Sequence, residues 1–501
     1  MLGFHRTQYR NPLPRHVLLG LLAASLSVAC GTDSPQPGAG VADFIGHLED
    51  RAPAWMETYG IPGSSLALVV DGDLLWSRSF GYADPREDRV MELNAVYRVE
   101  SLSKPVTAWG VMQLVEAGRV GLDDAVESRL SGFRLPPSEF DTDEVTVRRL
   151  LSGTAGFPLG TLGMEYAPGE PMPSLEDLLR QEARLVAPPG AGFTYSNPGF
   201  NLLELLVQEV TGQDFGEYME ARVLRPLGMA DAVYGWSPPL AERIPVGHDL
   251  SGATVEHYTY PDRGAGGLFA TVEDMARFAA AGMYGRPNGS DRVLEEASVR
   301  RLHTVEATDL GIYGLVADGY GLGHFVENLP DGQLAVFHGG QGNGWMTHIH
   351  WVPASGDGIV ILTNSQRSWP FIARVLGDWA TWRDVGPVGM ERIIAAGAAL
   401  KGLVVLILLM VSWRAWRLGR LVTARSRGTA LPASRERGFG VAELLSGLGL
   451  GGLLLWAVTR EYFFFNSVFP ATSAWLGWSL ALLAAVLVAG ALAPALLPSV
   501  E

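Results

Sequence analysis

Ser101 and Lys104, in the stretch "YRVESLSKP" at 97–105, have the residue types and spacing for acyl-transfer chemistry. Side chains three apart on a helix share a face and meet. A serine hydroxyl needs a base before it attacks a carbonyl. Lysine serves as that base when burial lowers its pKa, because desolvation disfavours the charged form. Arginine cannot serve, since its guanidinium stays protonated. The residue choice is informative here, because the chain has 38 Lys plus Arg and only Lys104 and Lys401 among them are lysine. Where charge suffices the chain uses Arg, and at position 104 it uses the cation that can give up its proton. Two further stretches follow in order: Tyr195-Ser196-Asn197 before an amphipathic run to Gly212, and His338-Gly339-Gly340-Gln341 leading toward a strand. A lone Tyr-x-Asn carries almost no information, and a His before glycines is commonly a turn. Behind the Ser-x-x-Lys they form a constellation.

These residues need a frame. Residues 41–385 read as one large unit without internal repeats. In "SLALVVDGDLLWSRSFGYAD" two β-rich runs flank Asp71-Gly72, the hairpin dipeptide. A helical pattern follows the Ser-x-x-Lys, from Val106 to Val115. "HIHWVP" and "GIVILTN" are strands near the other end, and the region from about 110 to 260 is mixed and mostly helical. This pattern predicts an α+β fold: one antiparallel sheet whose first and last strands meet, flanked by helices, with a helical region inserted between them.

The termini differ from this unit. Arg6, Arg10 and Arg15 precede an apolar stretch, Val17 to Ala29, which suits an export signal at 1–30 and is too short to span a bilayer. It ends in "LSVAC", which resembles a lipobox with Leu26 one place early, so Cys30 is read either as a lipid-bearing residue or as incidental. Residues 31–40 read as a flexible tether. The region 386–501 holds three runs of spanning length, at about 393–413, 441–458 and 474–493. The connector 414–440 carries Arg414, Arg417, Arg420, Arg425, Arg427, Arg435 and Arg437, and positive connectors stay in the cytoplasm. The large unit is then expected on the periplasmic or outer side of a multi-pass membrane protein. Lys401, inside the first span, is expected to snorkel or to face a neighbouring helix.

With those motifs in place, the chain resembles the serine β-lactamase-related superfamily, which includes class C β-lactamases, DD-peptidases and esterases of the same fold. The resemblance covers about residues 41 to 370. "VTVRRLLSGTAGFP" (145–158) and "GAGGLFATVEDMARFAAA" (264–281) add landmarks, giving five in order. It implies that Ser101 forms an acyl-enzyme. Lys104 and Tyr195 would exchange the protons of attack and departure, one lowering the pKa of the other. Asn197 would orient the lysine and the substrate amide. The backbone N–H groups of Ser101 and Gln341 would form the oxyanion hole, and Gly339 and Gly340 would let substrate approach the strand. His338 stands where many relatives carry the lysine of a Lys-Thr-Gly. A histidine is partly charged near neutral pH, so it would hold a substrate carboxylate less firmly. Gly153 and Ala155 replace the usual His and Ser of a turn, which is expected to alter the rim of the site.

The expected activity is hydrolysis of peptide, amide or ester substrates, cell-wall-related D-amino-acid peptides or small esters among them. A β-lactamase, or a penicillin-binding sensor with little turnover, is the alternative. No separate acid for fast β-lactam deacylation is visible. The short connector counts against a sensor, and three helices are few for a transporter. No cofactor is implied. The single cysteine excludes an intrachain disulfide and a Cys-based zinc site, and the net charge of −15 argues against a nucleic-acid groove. His348 and His350 would share a strand face as metal ligands could, but no third ligand is evident. Asp123 and Asp124 read as a loop and cap.

Overall fold

The computed structural model describes residues 34–161, 164–285, 292–426, 440–459 and 464–496. The signal stretch and Cys30 lie outside them. Helix α1 (Val41–Tyr59) places Phe44, Leu48, Ala52 and Met56 on one buried stripe. Strands β1 (Gly63–Val70) and β2 (Asp73–Asp84) follow, joined at Asp71-Gly72, where both residues have positive φ (52° and 82°) as a type I′ turn requires. A two-residue β3 (Arg89–Val90) lies outside β2. The remaining strands of the same sheet come late: β4 (Gly319–Tyr320), β5 (Phe325–Asn328), β6 (Leu334–Gly342), β7 (Trp345–Val352) and β8 (Asp357–Thr363). The eight form one antiparallel sheet in the order β3-β2-β1-β8-β7-β6-β5-β4. The first long strand and the last therefore pair, with Leu66 opposite Ile361.

Both faces of this sheet are covered, so its central strands are apolar on alternate and intervening positions alike. Leu66, Leu68, Ile359 and Ile361 face α1 and α5 (Trp369–Arg383). Ala67, Val69, Val360 and Leu362 face the inserted region, in the cluster that holds α2 (Ser103–Glu116), α3 (Asn197–Thr211) and α4 (Val272–Ala281). Helix α3 is capped at its start by the Ser196 hydroxyl, which accepts from Gly199 N–H at 3.1 Å, and Pro198 fills its first turn. Residues expected to be tether are already docked at Gly38 and Ala39. Gly38 N–H donates to Trp382 O at 2.9 Å, and Trp382 Nε1–H donates to Ala39 O at 2.8 Å.

Three helices after the sheet, α6 (Arg392–Ser426), α7 (Val441–Val458) and α8 (Pro470–Leu496), are long and apolar enough to cross a membrane. Helix α6 continues past the expected end at Trp413 into the arginine connector. Arg414 and Arg417 lie over the Trp413 ring, at 5.4 and 5.0 Å, and Arg414 also pairs with Glu443 of α7. Helix α8 packs on both α6 and α7. Gly447 allows the close approach on α7, since a Cβ there would meet Val488 and the Ala484 carbonyl at 2.8 and 2.9 Å. Lys401 is exposed along α6 rather than facing a neighbouring helix. The start of α6 and the short helix Phe464–Val468 sit against the sheet-bearing unit, packed on α5.

Candidate active site

Ser101 lies in the tight turn Glu100–Leu102, which runs directly into α2. Four hydrogen bonds hold that turn. Val99 N–H donates to Leu268 O (3.1 Å), Thr347 Oγ1 to Val99 O (2.8 Å), Ser103 Oγ to Glu100 O (2.6 Å), and Leu268 N–H to Ser103 Oγ (3.0 Å). Glu100 has φ +53°, an unfavourable backbone for a residue with a side chain, costing on the order of 1–3 kcal/mol. Its buried carboxylate is held by Arg98 Nε (3.2 Å) and the hydroxyls of Tyr258 (3.1 Å) and Tyr260 (3.2 Å). Arg98 in turn lies among the rings of Tyr258, Tyr260 and Phe269, at 4.0 to 4.8 Å. The charge-assisted bonds offset the backbone strain. Nothing local in the sequence marks this network, because its members are spread from residue 98 to 269.

Lys104 is fully buried one turn along. Its Nζ lies 3.2 Å from Ser101 Oγ, 2.8 Å from Asn197 Oδ1 and 2.9 Å from Ala265 O. The Asn197 amide is oriented by Nδ2–H donating to Thr161 O at 2.8 Å, which leaves Oδ1 as the acceptor. Two of the three partners can only accept; Ser101 can also donate. A neutral amine fits this set: two N–H bonds go to Asn197 and Ala265, and the lone pair is left for the Ser101 proton. Burial pulls the Lys104 pKa from its ordinary 10.5 down to about 7, against the opposing charges of Asp262 and Glu100.

Tyr195 lines the cleft together with Ser101, and Lys104 Nζ sits 4.7 Å from the centre of its ring. The tyrosine is held well above its ordinary value, first by burial and then by Tyr320 and Tyr313. One of the pair is expected to lower the pKa of the other; here burial, not Tyr195, brings the lysine down, and Tyr195 stays a phenol. The turn with Gly153 and Ala155 lies under the chain that leads to Tyr195, with Thr194 N–H donating to Gly153 O at 2.7 Å and Ala155 buried. It supports the site from below instead of forming its rim.

His338 also departs from expectation. Its Nδ1 is 2.8 Å from Gly339 O, the geometry of an Nδ1–H donor, and burial together with the Lys104 charge pushes its pKa well below 6.5. It is neutral, with Nε2 unpaired, and offers a carboxylate no cationic grip. The glycines after it serve the protein's own packing. A Cβ on Gly339 would meet the Trp369 ring at 2.6 Å, one on Gly340 would meet Val99 O at 2.2 Å, and one on Gly342 would meet Glu100 Cδ at 2.3 Å. The absence of side chains lets β6 lie against the Ser101 turn. The Gln341 side chain accepts from Trp369 Nε1 (3.0 Å) and donates to Ser467 Oγ (2.8 Å), so it is pinned to the short helix Phe464–Val468.

Asp262 was not visible as a site residue in the sequence. It is buried beside the cleft, accepts from Asn201 Nδ2 at 2.6 Å, and is pushed up to about 7 by burial and then by Glu204 and Glu182. His348 and His350 are buried and stacked on Phe337, at 5.7 and 5.4 Å. No group of three metal-ligating side chains occurs among the described residues. Asp123 and Asp124 hold Arg148 and Arg129, away from the cleft.

The cleft in front of Ser101 has a volume of about 690 Å³. Ser101, Tyr195, Asn197 and His338 line it together, and Lys104 lies just behind.

Comparison with known proteins agrees with this architecture. The chain is 29% identical over 357 residues to the D-alanyl-D-alanine-carboxypeptidase/endopeptidase AmpH of Escherichia coli (strain K12), covering 69% of this chain and 90% of that protein. It is 29% identical over 325 residues to penicillin-binding protein 4* of Bacillus subtilis (strain 168), covering 60% and 67%. The structure of the octameric penicillin-binding protein homologue from Pyrococcus abyssi superposes with a TM-score of 0.55 at 25% identity, over 66% of this chain and 77% of that one. A family model described as Beta-lactamase matches residues 48–377, and the chain belongs to that family of serine hydrolases.

Proposed function

We propose that Ser101 is the nucleophile of an extracytoplasmic hydrolase anchored by α6, α7 and α8, acting on peptide, amide or ester bonds. The observation that carries this is the position of Lys104 Nζ, 3.2 Å from Ser101 Oγ and 2.8 and 2.9 Å from the acceptors Asn197 Oδ1 and Ala265 O, where a neutral amine would turn its lone pair to Ser101. Neutral Lys104 takes the Ser101 proton as Oγ bonds to the substrate carbonyl carbon. The oxyanion that forms is met by the backbone N–H groups of Ser101 and Gln341. As the tetrahedral species collapses, the Tyr195 hydroxyl gives its proton to the leaving nitrogen or oxygen and regains one from Lys104. The acyl group stays on Ser101 until water attacks and the protons return by the same route.

The name of one curated relative, a D-alanyl-D-alanine-carboxypeptidase/endopeptidase, favours D-amino-acid peptides as one substrate class. The neutral His338 favours substrates that do not depend on a clamped carboxylate, esters and amides among them. The arginines of the connector favour an extracytoplasmic catalytic unit. Fluorophosphonate and penicillin probes, applied to wild type beside Ser101→Ala, test the nucleophile. Labelling is expected to vanish in the variant, and equal labelling would refute the assignment. Nitrocefin, p-nitrophenyl esters and D-amino-acid amides then rank the substrate classes.

A further inference from the structure

One wall of the cleft that holds Ser101 comes from the C-terminal helices. Ile393 and Ala396, in the first turns of α6, line it together with Phe465, Val468 and Phe469 from the chain that leads into α8. These residues lie at the end of the bundle from which α6 and α8 run into their apolar spans. The cleft wall is therefore continuous with the apolar surfaces of helices long enough to cross a membrane.

A second feature marks the same level. The turn Gly311–Leu315 borders the cleft and exposes Ile312 and Leu315 at 56% and 63%. Arg392, at the start of α6, donates from Nη1 to Leu315 O at 2.9 Å and ties this turn to the helix. Adjacent exposed apolar side chains beside the start of a span are suited to dipping into an interface. Among the described residues Arg392, at the start of α6, is the only lysine or arginine on the cleft wall. Neutral His338 adds no cation on the Ser101 side.

We propose that the substrate is an ester or amide bearing a long hydrocarbon chain, which enters from the outer leaflet with its carbonyl at Ser101 and its chain against Ala396, Val468 and Phe469. This rests on Ser101 being the nucleophile and goes beyond that reading by naming what the apolar arm of the cleft holds. A soluble peptide would leave that arm unfilled. A hydrocarbon chain gains about fourfold in binding for each methylene fully buried. The chain belongs either to the acyl half or to the leaving half of the substrate, and the two are separable by experiment.

The test uses the full chain in nanodiscs. One arm measures kcat/KM for p-nitrophenyl esters from acetyl to dodecanoyl. The other compares acetate esters of short and long alcohols. Both are run with wild type, Ala396→Trp and Val468→Trp, and with Ser101→Ala as control. Partitioning into the disc raises the local concentration of long substrates equally for every variant, so the comparison between variants is decisive. Wild type is expected to favour octanoyl over acetyl by roughly 100-fold or more, or to show the same preference in the alcohol arm. Each tryptophan variant is expected to reduce that ratio by about tenfold or more. A wild type without chain-length preference in either arm overturns the proposal, as does a preference unchanged in both tryptophan variants. Hydrolysis that survives in Ser101→Ala instead overturns the nucleophile assignment.

Discussion

Replacing Lys104 by methionine removes a buried amine whose titration is coupled to folding. The folded chain holds this amine near pKa 7, whereas it ordinarily titrates at 10.5. Between those values the unfolded chain binds a proton that the folded chain does not, so stability rises with pH across that window. At about 1.4 kcal/mol per pKa unit, the full penalty is ~5 kcal/mol below pH 7, and it disappears above pH 10.5. Lys104→Met abolishes this dependence, although it also leaves Asn197 Oδ1 and Ala265 O without a donor, a constant loss of about 1–3 kcal/mol each. The absolute stability of the variant mixes both effects; the pH slope of the difference isolates the amine. Thermal unfolding of the two full chains in nanodiscs at pH 7.5, 8.5 and 9.5 reads that slope. Wild type is expected to gain on the variant by ~2 °C per pH unit. Parallel pH profiles would show that Lys104 is charged in the folded protein across this range, and would refute the neutral-base geometry.

Asp262→Asn removes a negative charge that raises the proton affinity of Lys104, so the acid limb of the kcat/KM profile is expected at lower pH than in wild type. A limb that stays in place or moves upward contradicts that coupling, and because the two groups both titrate near 7 the wild-type limb belongs to the pair. Gly342→Ala drives a methyl into the Glu100 carboxylate, and the resulting shift of the Ser101 turn is expected to lower kcat about 100-fold. Fluorophosphonate labelling rates for that variant, measured beside its melting temperature, separate a displaced serine from an unfolded chain.

The reactive pair was legible because its signal is local: three residues apart, in a chain that otherwise writes Arg for positive charge. The hairpin at Asp71-Gly72 and the apolar spans were legible for the same reason, since turn chemistry and hydropathy act over short windows. The first and last strands meeting was inferred from where β patterns fall, and β1 does pair with β8. What eluded the sequence depends on burial and distant contacts. The charge of His338 is set by how deeply it sits and by Lys104, neither of which a His-Gly-Gly reveals. Gly339 and Gly340 read as room for substrate, whereas their missing side chains make room for Trp369 and Val99. Glu100, Arg98, Tyr258 and Tyr260 converge from separate segments. The apolar arm of the cleft needs Ile393, Ala396, Phe465, Val468 and Phe469 brought to the same cleft as Ser101, which no local pattern specifies.

Lys104→Arg keeps a long basic side chain at the position but one that stays protonated, so it cannot accept the Ser101 proton. Stopped-flow acylation with a reactive ester, with the modified peptide identified by mass spectrometry, measures the step this residue serves. Attachment to Ser101 in wild type, and a fall in the acylation rate by a factor of roughly 10³ in the variant, are the expected results. Acylation of another residue, or a rate within about threefold of wild type, would contradict Lys104 as the base for Ser101.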